Sequence, residues 1–75
     1  MKLEYDKRVD AAYFYLVPPV PGIAKKTYAC DPDEVGGQIQ LDFDSEGHLI
    51  GIEILDASLI LPKEALKGAQ EPATR

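Results

Sequence analysis

Asp42, Asp44, Glu46 and Glu53 occupy positions 1, 3, 5 and 12 of a twelve-residue window, with Gly47 at position 6 and Leu49 at position 8. That is the ligand spacing of an EF-hand calcium loop, where carboxylate oxygens surround a hard cation and glycine makes the sharp turn. The flanks decide against it. An EF-hand loop joins two helices, whereas the residues on either side of this window alternate apolar and polar with period two, as strands do. On a strand rising about 3.3 Å per residue, Glu53 would stand roughly 20 Å from the turn, too far to close on a cation held by Asp42 and Asp44. No metal is expected.

The other chemistry-bearing residues are sparse. His48 is the single histidine and has no second histidine or cysteine near it in sequence, which makes a poor transition-metal site and a poor general base. Cys30 is the lone cysteine and stands beside Asp31, so it lacks the electropositive setting that lowers a thiol pKa. Gly36-Gly37 is an isolated pair suited to a turn rather than a phosphate-binding loop. Pro18-Pro19-Val20-Pro21 contains a P-x-x-P spacing, a weak match on its own. Two acidic clusters remain: Tyr5, Asp6 and Asp10, and Glu53 with Asp56. Paired carboxylates can do acid–base work when their surroundings split their pKa values. They can equally cap turns and strand ends, and the residues favour that second role. No cofactor is expected.

The elements that would position these groups are mostly strands. Residues 37–56 predict a β-hairpin. Ile39, Leu41 and Phe43 alternate with Gln40, Asp42 and Asp44; Ile50, Ile52 and Ile54 alternate with Leu49, Gly51, Glu53 and Leu55. Between them Asp44-Ser45-Glu46-Gly47 suits a type I turn closed by a glycine in the left-handed conformation. Residues 2–6 predict a first strand. Residues 11–17 predict a second, with Ala12, Phe14 and Leu16 facing inward and Tyr13, Tyr15 and Val17 outward. Three prolines within 18–22 end it, since each removes a ladder donor. Residues 23–29 predict a weaker edge strand protected by Lys25 and Lys26. Residues 59–68 predict one short helix, with Pro62 near its start and Gly68 past its end.

The 75 residues allow one domain, assigned to 1–69, with 70–75 as a frayed tail. Thirteen acidic side chains against eight basic ones give a net charge of −5. That balance excludes a nucleic-acid partner, which needs a basic face, and suits a basic protein. A single cysteine, no apolar run near 20 residues and a strand pattern directly after Met1 predict a cytoplasmic protein without a membrane span.

Two stretches, residues 5–13 (YDKRVDAAY) and 42–58 (DFDSEGHLIGIEILDAS), resemble a family of small bacterial and archaeal proteins catalogued as domain of unknown function 2283. The proline-rich segment 18–22 is longer than in the family pattern, and the tail after Leu66 departs from it. The resemblance implies a small sheet with a C-terminal helix and no established activity. Relatives encoded beside toxin-like proteins hint at an antitoxin role.

The predicted architecture is α+β: a small antiparallel β-meander of about five strands with a short C-terminal helix. The function expected is a non-enzymatic interaction module that self-associates as a homodimer, or an acidic antitoxin-like partner of a basic protein. Its interface would use Tyr13, Tyr15, Val17, Leu49, Glu53 and Leu55, because one short helix cannot cover both faces of a sheet. The alternative is a small ligand-binding protein or enzyme with a site between Tyr5, Asp6, Asp10 and Tyr13.

Overall fold

A computed structural model describes residues 1–72. Five strands, β1 (Lys2–Asp6), β2 (Ala11–Tyr15), β3 (Lys26–Ala29), β4 (Ile39–Phe43) and β5 (Leu49–Leu55), form one antiparallel sheet in the order β1-β2-β5-β4-β3. The α+β reading holds, with a hairpin of β1 and β2 docked beside a three-stranded meander of β3, β4 and β5. Both strands predicted beside the prolines are shorter than their apolar patterns, because residues 16–25 are drawn off as a strap from β2 to β3 at the opposite edge. Hydrogen bonds from Leu16 N to Ile50 O (3.0 Å) and from Lys25 N to Phe43 O (2.8 Å) moor its two ends.

The β4–β5 hairpin is built as its residues dictate. Gly47 N donates to Asp44 O at 3.1 Å, and Gly47 has φ 85°. Asp44 Oδ1 accepts from Glu46 N and His48 N, both at 2.9 Å. The partner of Asp42 is Gly51 and that of Phe43 is Leu49, so Ile50 is an extra residue that bulges β5. Gly47→Ala should cost about 1 kcal/mol, because a Cβ is penalised at positive φ. The denaturant midpoint measures it, and an unchanged midpoint would mean that the turn tolerates a side chain.

Three short helices accompany the sheet: α1 (Pro32–Val35), α2 (Ala57–Ile60) and α3 (Lys63–Lys67). The helix α1 falls between the predicted edge strand and the predicted hairpin, where the sequence pattern predicts no helix. Asp31 caps it, accepting from Asp33 N at 3.0 Å, Pro32 opens it and Gly36, at φ 81°, ends it. The one helix predicted over 59–68 is two. Leu61 precedes Pro62, whose ring disfavours helical backbone in the residue before it, and Leu61 is extended at φ −90°, ψ 144°.

Register assigns the faces. Ala12, Ile54 and Ile39 stand in one inner row, and the core gathers there around Ala57, with Tyr5, Ile60, Leu61 and Leu66 packed on it. The core is thin: the buried apolar residues are Ala12, Ile50, Ile54 and Ala57. Gln70, placed in the frayed tail by sequence, is instead tied to the open side of β1. Its N–H donates to Leu3 O and its carbonyl accepts from Tyr5 N, both at 2.8 Å. The part of that tail beyond residue 72 lies outside the described residues.

Candidate functional site

The structure separates the four residues of the expected ligand site. Tyr5 faces the helices, and its hydroxyl donates to Asp10 Oδ1 at 2.7 Å. Asp6 turns to Arg8, whose Nη2 and Nε donate to its carboxylate at 3.0 and 3.2 Å. Tyr13 lies on the outer face and donates to Asp42 Oδ2 at 2.6 Å. Of the four, Tyr5 and Asp10 are joined by a hydrogen bond.

Asp10 joins the first hairpin to the helical segment. Besides Tyr5, its carboxylate accepts from Ser58 N at 3.0 Å and Ser58 Oγ at 2.7 Å, while its carbonyl accepts from Ala57 N at 2.9 Å. Asp56 occupies the N-cap position of α2 but makes no side-chain cap there. Asp10 does that work from 48 residues away, satisfying a backbone donor that the first turn of a helix leaves open. These bonds, Tyr5 first and Ser58 next, hold the Asp10 carboxyl below its ordinary range.

On the outer face the rows Lys2–Tyr15–Gly51–Asp42–Thr27 and Glu4–Tyr13–Glu53–Gln40–Ala29 cross all five strands. Tyr13 leans over Gly51, where a Cβ would meet its ring atoms Cε1 and Cζ at 2.5 Å. Its hydroxyl shares the Asp42 carboxylate with Thr27 Oγ1, also at 2.6 Å. Burial first and then Asp42 hold the Tyr13 phenol well above the ordinary tyrosine range. The Tyr13 and Tyr15 ring centroids are 4.6 Å apart, and the Lys2 ammonium stands 5.2 Å from the Tyr15 centroid.

The strap passes on this side, since residues 17–24 and the two tyrosines line one groove of about 410 Å³. The expected interface residues are thus divided. Tyr13, Tyr15 and Val17 line the groove, Glu53 and Leu55 lie farther along the outer face, and Leu49 begins β5 with 37 % of its surface exposed. The side chains of Lys2, Glu4, Gln40 and Asp42 interrupt the apolar surface predicted there.

His48 lies 3.5 Å from Asp44 and 3.7 Å from Glu46 at the exposed turn, a pairing of little energetic weight. Among the described residues no three His, Cys, Asp or Glu side chains come together as a metal site.

Comparison with family models gives a match over residues 2–58 to a family described as "Protein of unknown function (DUF2283)". The chain belongs to this family. Neither the curated proteins nor the solved structures give a match. The two stretches that carried the resemblance meet at the Asp10 junction: Tyr5 and Asp10 come from one, Ala57 and Ser58 from the other. In this DUF2283 protein those residues fasten the sheet to its helices. The sequence pointed to Tyr5 and Asp10 and missed Ser58. Its signal was the Asp-Ala-Ser run directly after the last strand.

Two pH limits follow. The Asp10 pKa is lowered on folding, so its contribution is complete above the unfolded value of about 3.9 and is lost as pH falls through the folded value. The Tyr13 pKa is raised, so its contribution is complete below the unfolded value of about 10 and is lost as pH climbs above it. Thermal unfolding midpoints should therefore fall below pH 4 and above pH 10. Asp10→Asn should blunt the acid limb and Tyr13→Phe the alkaline one; limbs that stay unaltered in both variants would remove these groups as their cause.

Proposed function

We propose that this DUF2283 protein is a non-enzymatic interaction module that works as an assembly of its own copies. The observation that carries the reading is the thinness of the core. Among the described residues four apolar residues are buried in a slab of 33 × 33 × 20 Å, and a partner that binds only the folded chain adds stability to so marginal a core. The carboxylates of Asp6, Asp10 and Asp42 are all engaged in bonds within the fold, which supports a structural rather than an acid–base role for them. Sedimentation velocity at micromolar concentration tests the reading. A dimer is expected; a monomer with its full β-structure would overturn it.

The finer form of the reading is an acidic, antitoxin-like partner of a basic protein in the cytoplasm. The net charge of −5 and the lone Cys30 support it, as does the absence, among the described residues, of a helix long and apolar enough to cross a membrane. Binding to such a partner should weaken steeply with salt.

A second reading rests on the groove between the strap and the two tyrosines. Its 410 Å³ falls in the range of small-molecule sites, and Tyr13 and Tyr15 stand in its lining. A ligand seated there should raise the melting temperature and perturb tyrosine fluorescence, and Val20→Glu should abolish both effects.

A further inference from the structure

The sheet has two edges, and the chain closes one of them itself. Beside β1, Gln70 accepts from Tyr5 N and donates to Leu3 O, so the segment after α3 covers that edge. The other edge is β3. All four of its residues are exposed, Tyr28 to 58 %. Cys30 N donates to Ile39 O at 2.8 Å, and bonding direction alternates along an antiparallel ladder. Lys26 and Tyr28 therefore turn their main-chain groups toward β4, as Cys30 does, and Thr27 and Ala29 turn theirs away from the sheet. Among the described residues, no backbone bond outside the β3–β4 ladder reaches Thr27 or Ala29. Such a row of outward donors and acceptors is a template for one more strand.

We propose that β3 pairs with β3 of a second copy, antiparallel and centred on Tyr28, which rests on the self-association reading above and gives the contact its place. Charge selects the occupant. Lys25 and Lys26 stand at one end of this edge and Asp31, Asp33 and Glu34 at the other, all exposed. Among the described residues none of the five joins an ion pair. Lysines on an edge turn away strands that bring apolar or basic residues beside them. An antiparallel copy brings acids instead: Lys25 comes beside the other copy's Asp31, and two-fold symmetry repeats the match. Hydrogen bonding selects the register. Centred on Tyr28, Thr27 faces Ala29, and both are outward-directed, so each pair exchanges both its bonds. Centred on Thr27, Ala29 would face Lys25, whose N–H already donates to Phe43 O at 2.8 Å. Centred on Ala29, Thr27 would face Asp31, the cap of α1. In the chosen register the two Tyr28 side chains meet as a pair without main-chain bonds, where cross-strand side chains stand closest.

Sedimentation velocity across a dilution series, with circular dichroism as the check on folding, compares the wild type with Ala29→Pro. The wild type should be dimeric. Proline at position 29 removes an outward N–H and no bond within the sheet, so β-structure should stay while the dimer dissociation constant rises about tenfold or more. Crosslinking reads the register. Tyr28→Cys, made together with Cys30→Ser, should join two copies under mild oxidation, because facing residues of such a pair lie within disulfide range. Thr27→Cys in the same background should not, being offset from its own copy beyond about 7 Å. If Ala29→Pro fails to fold, the crosslink decides. A monomeric wild type overturns self-association altogether and leaves this edge to a strand of another protein. A wild-type dimer untouched by Ala29→Pro leaves self-association standing and overturns the edge. Loss of the dimer in Ala29→Pro without a crosslink through Tyr28→Cys overturns the register.

Discussion

Gly51→Ala should destabilise the protein by about 2 kcal/mol, the usual scale for overpacking a filled site. Glycine is a weak strand residue, and alanine in mid-strand would ordinarily be a small gain. Here the added Cβ would fall on the Tyr13 ring. The ring can yield only by swinging away, and doing so breaks the 2.6 Å bond to Asp42 and uncovers the strand beneath. A double-mutant cycle isolates this cause. In a Tyr13→Ala background, Gly51→Ala should be neutral or slightly stabilising, giving a coupling of about 2 kcal/mol between two diagonal neighbours on adjacent strands. Additive costs in denaturant unfolding would show that the ring does not depend on the missing Cβ.

That pairing also marks where sequence reasoning reached its limit. Period two places Tyr13, Tyr15, Val17, Leu49, Glu53 and Leu55 on one face; the register agrees for Tyr13, Tyr15, Glu53 and Leu55, whereas the bulge at Ile50 pairs Leu49 with Phe43, out of that set. Alternation alone does not say which strands are neighbours. The order β1-β2-β5-β4-β3 puts Asp42 across from Gly51 and within reach of Tyr13, 29 residues away in the chain, and so replaces an expected apolar patch with a bonded tyrosine–carboxylate surface. The β4–β5 hairpin was legible because every determinant of it is local: alternation, the Asp44 side-chain bonds and Gly47. The helix over 59–68 was half legible. Pro62 suits the start of a helix, but the same ring takes Leu61 out of helical backbone, so the segment breaks there. The strap was seen as a strand terminator, and its crossing of the outer face depends on where β3 pairs, which no local pattern records.

At the Asp10 junction, residue types that could do chemistry make bonds that fasten the fold. A tyrosine, an aspartate and a serine within hydrogen-bond reach have the makings of a catalytic set, but here every bond points to the Asp10 carboxylate as acceptor. The serine hydroxyl donates to a carboxylate held in its ionised form, with no intervening base to relay a proton, which is the arrangement of a cap rather than of an activated nucleophile. Asp10 also sits at φ 54°, a left-handed conformation in which aspartate is tolerated better than alanine.

Asp10→Ala should consequently lower the denaturant midpoint, and by more than Asp10→Gly, because it removes a charge-assisted cap and adds strain at positive φ. The controls separate the contributions. Asp10→Gly removes the same carboxylate but accepts the backbone, so its smaller cost measures the bonds, and the difference from alanine measures the strain. Tyr5→Phe and Ser58→Ala each remove one donor, and both should lose most of their effect in the Asp10→Gly background. The same loss should reach β1, because α2 leads into α3 and from there to Gln70, whose two backbone bonds close the open side of that strand. Hydrogen exchange at Tyr5 N–H, which donates to Gln70 O at 2.8 Å, should therefore accelerate in Asp10→Gly beyond what the global stability change accounts for. Exchange there that merely tracks global unfolding would show that the helical segment holds its place on the sheet without the Asp10 junction.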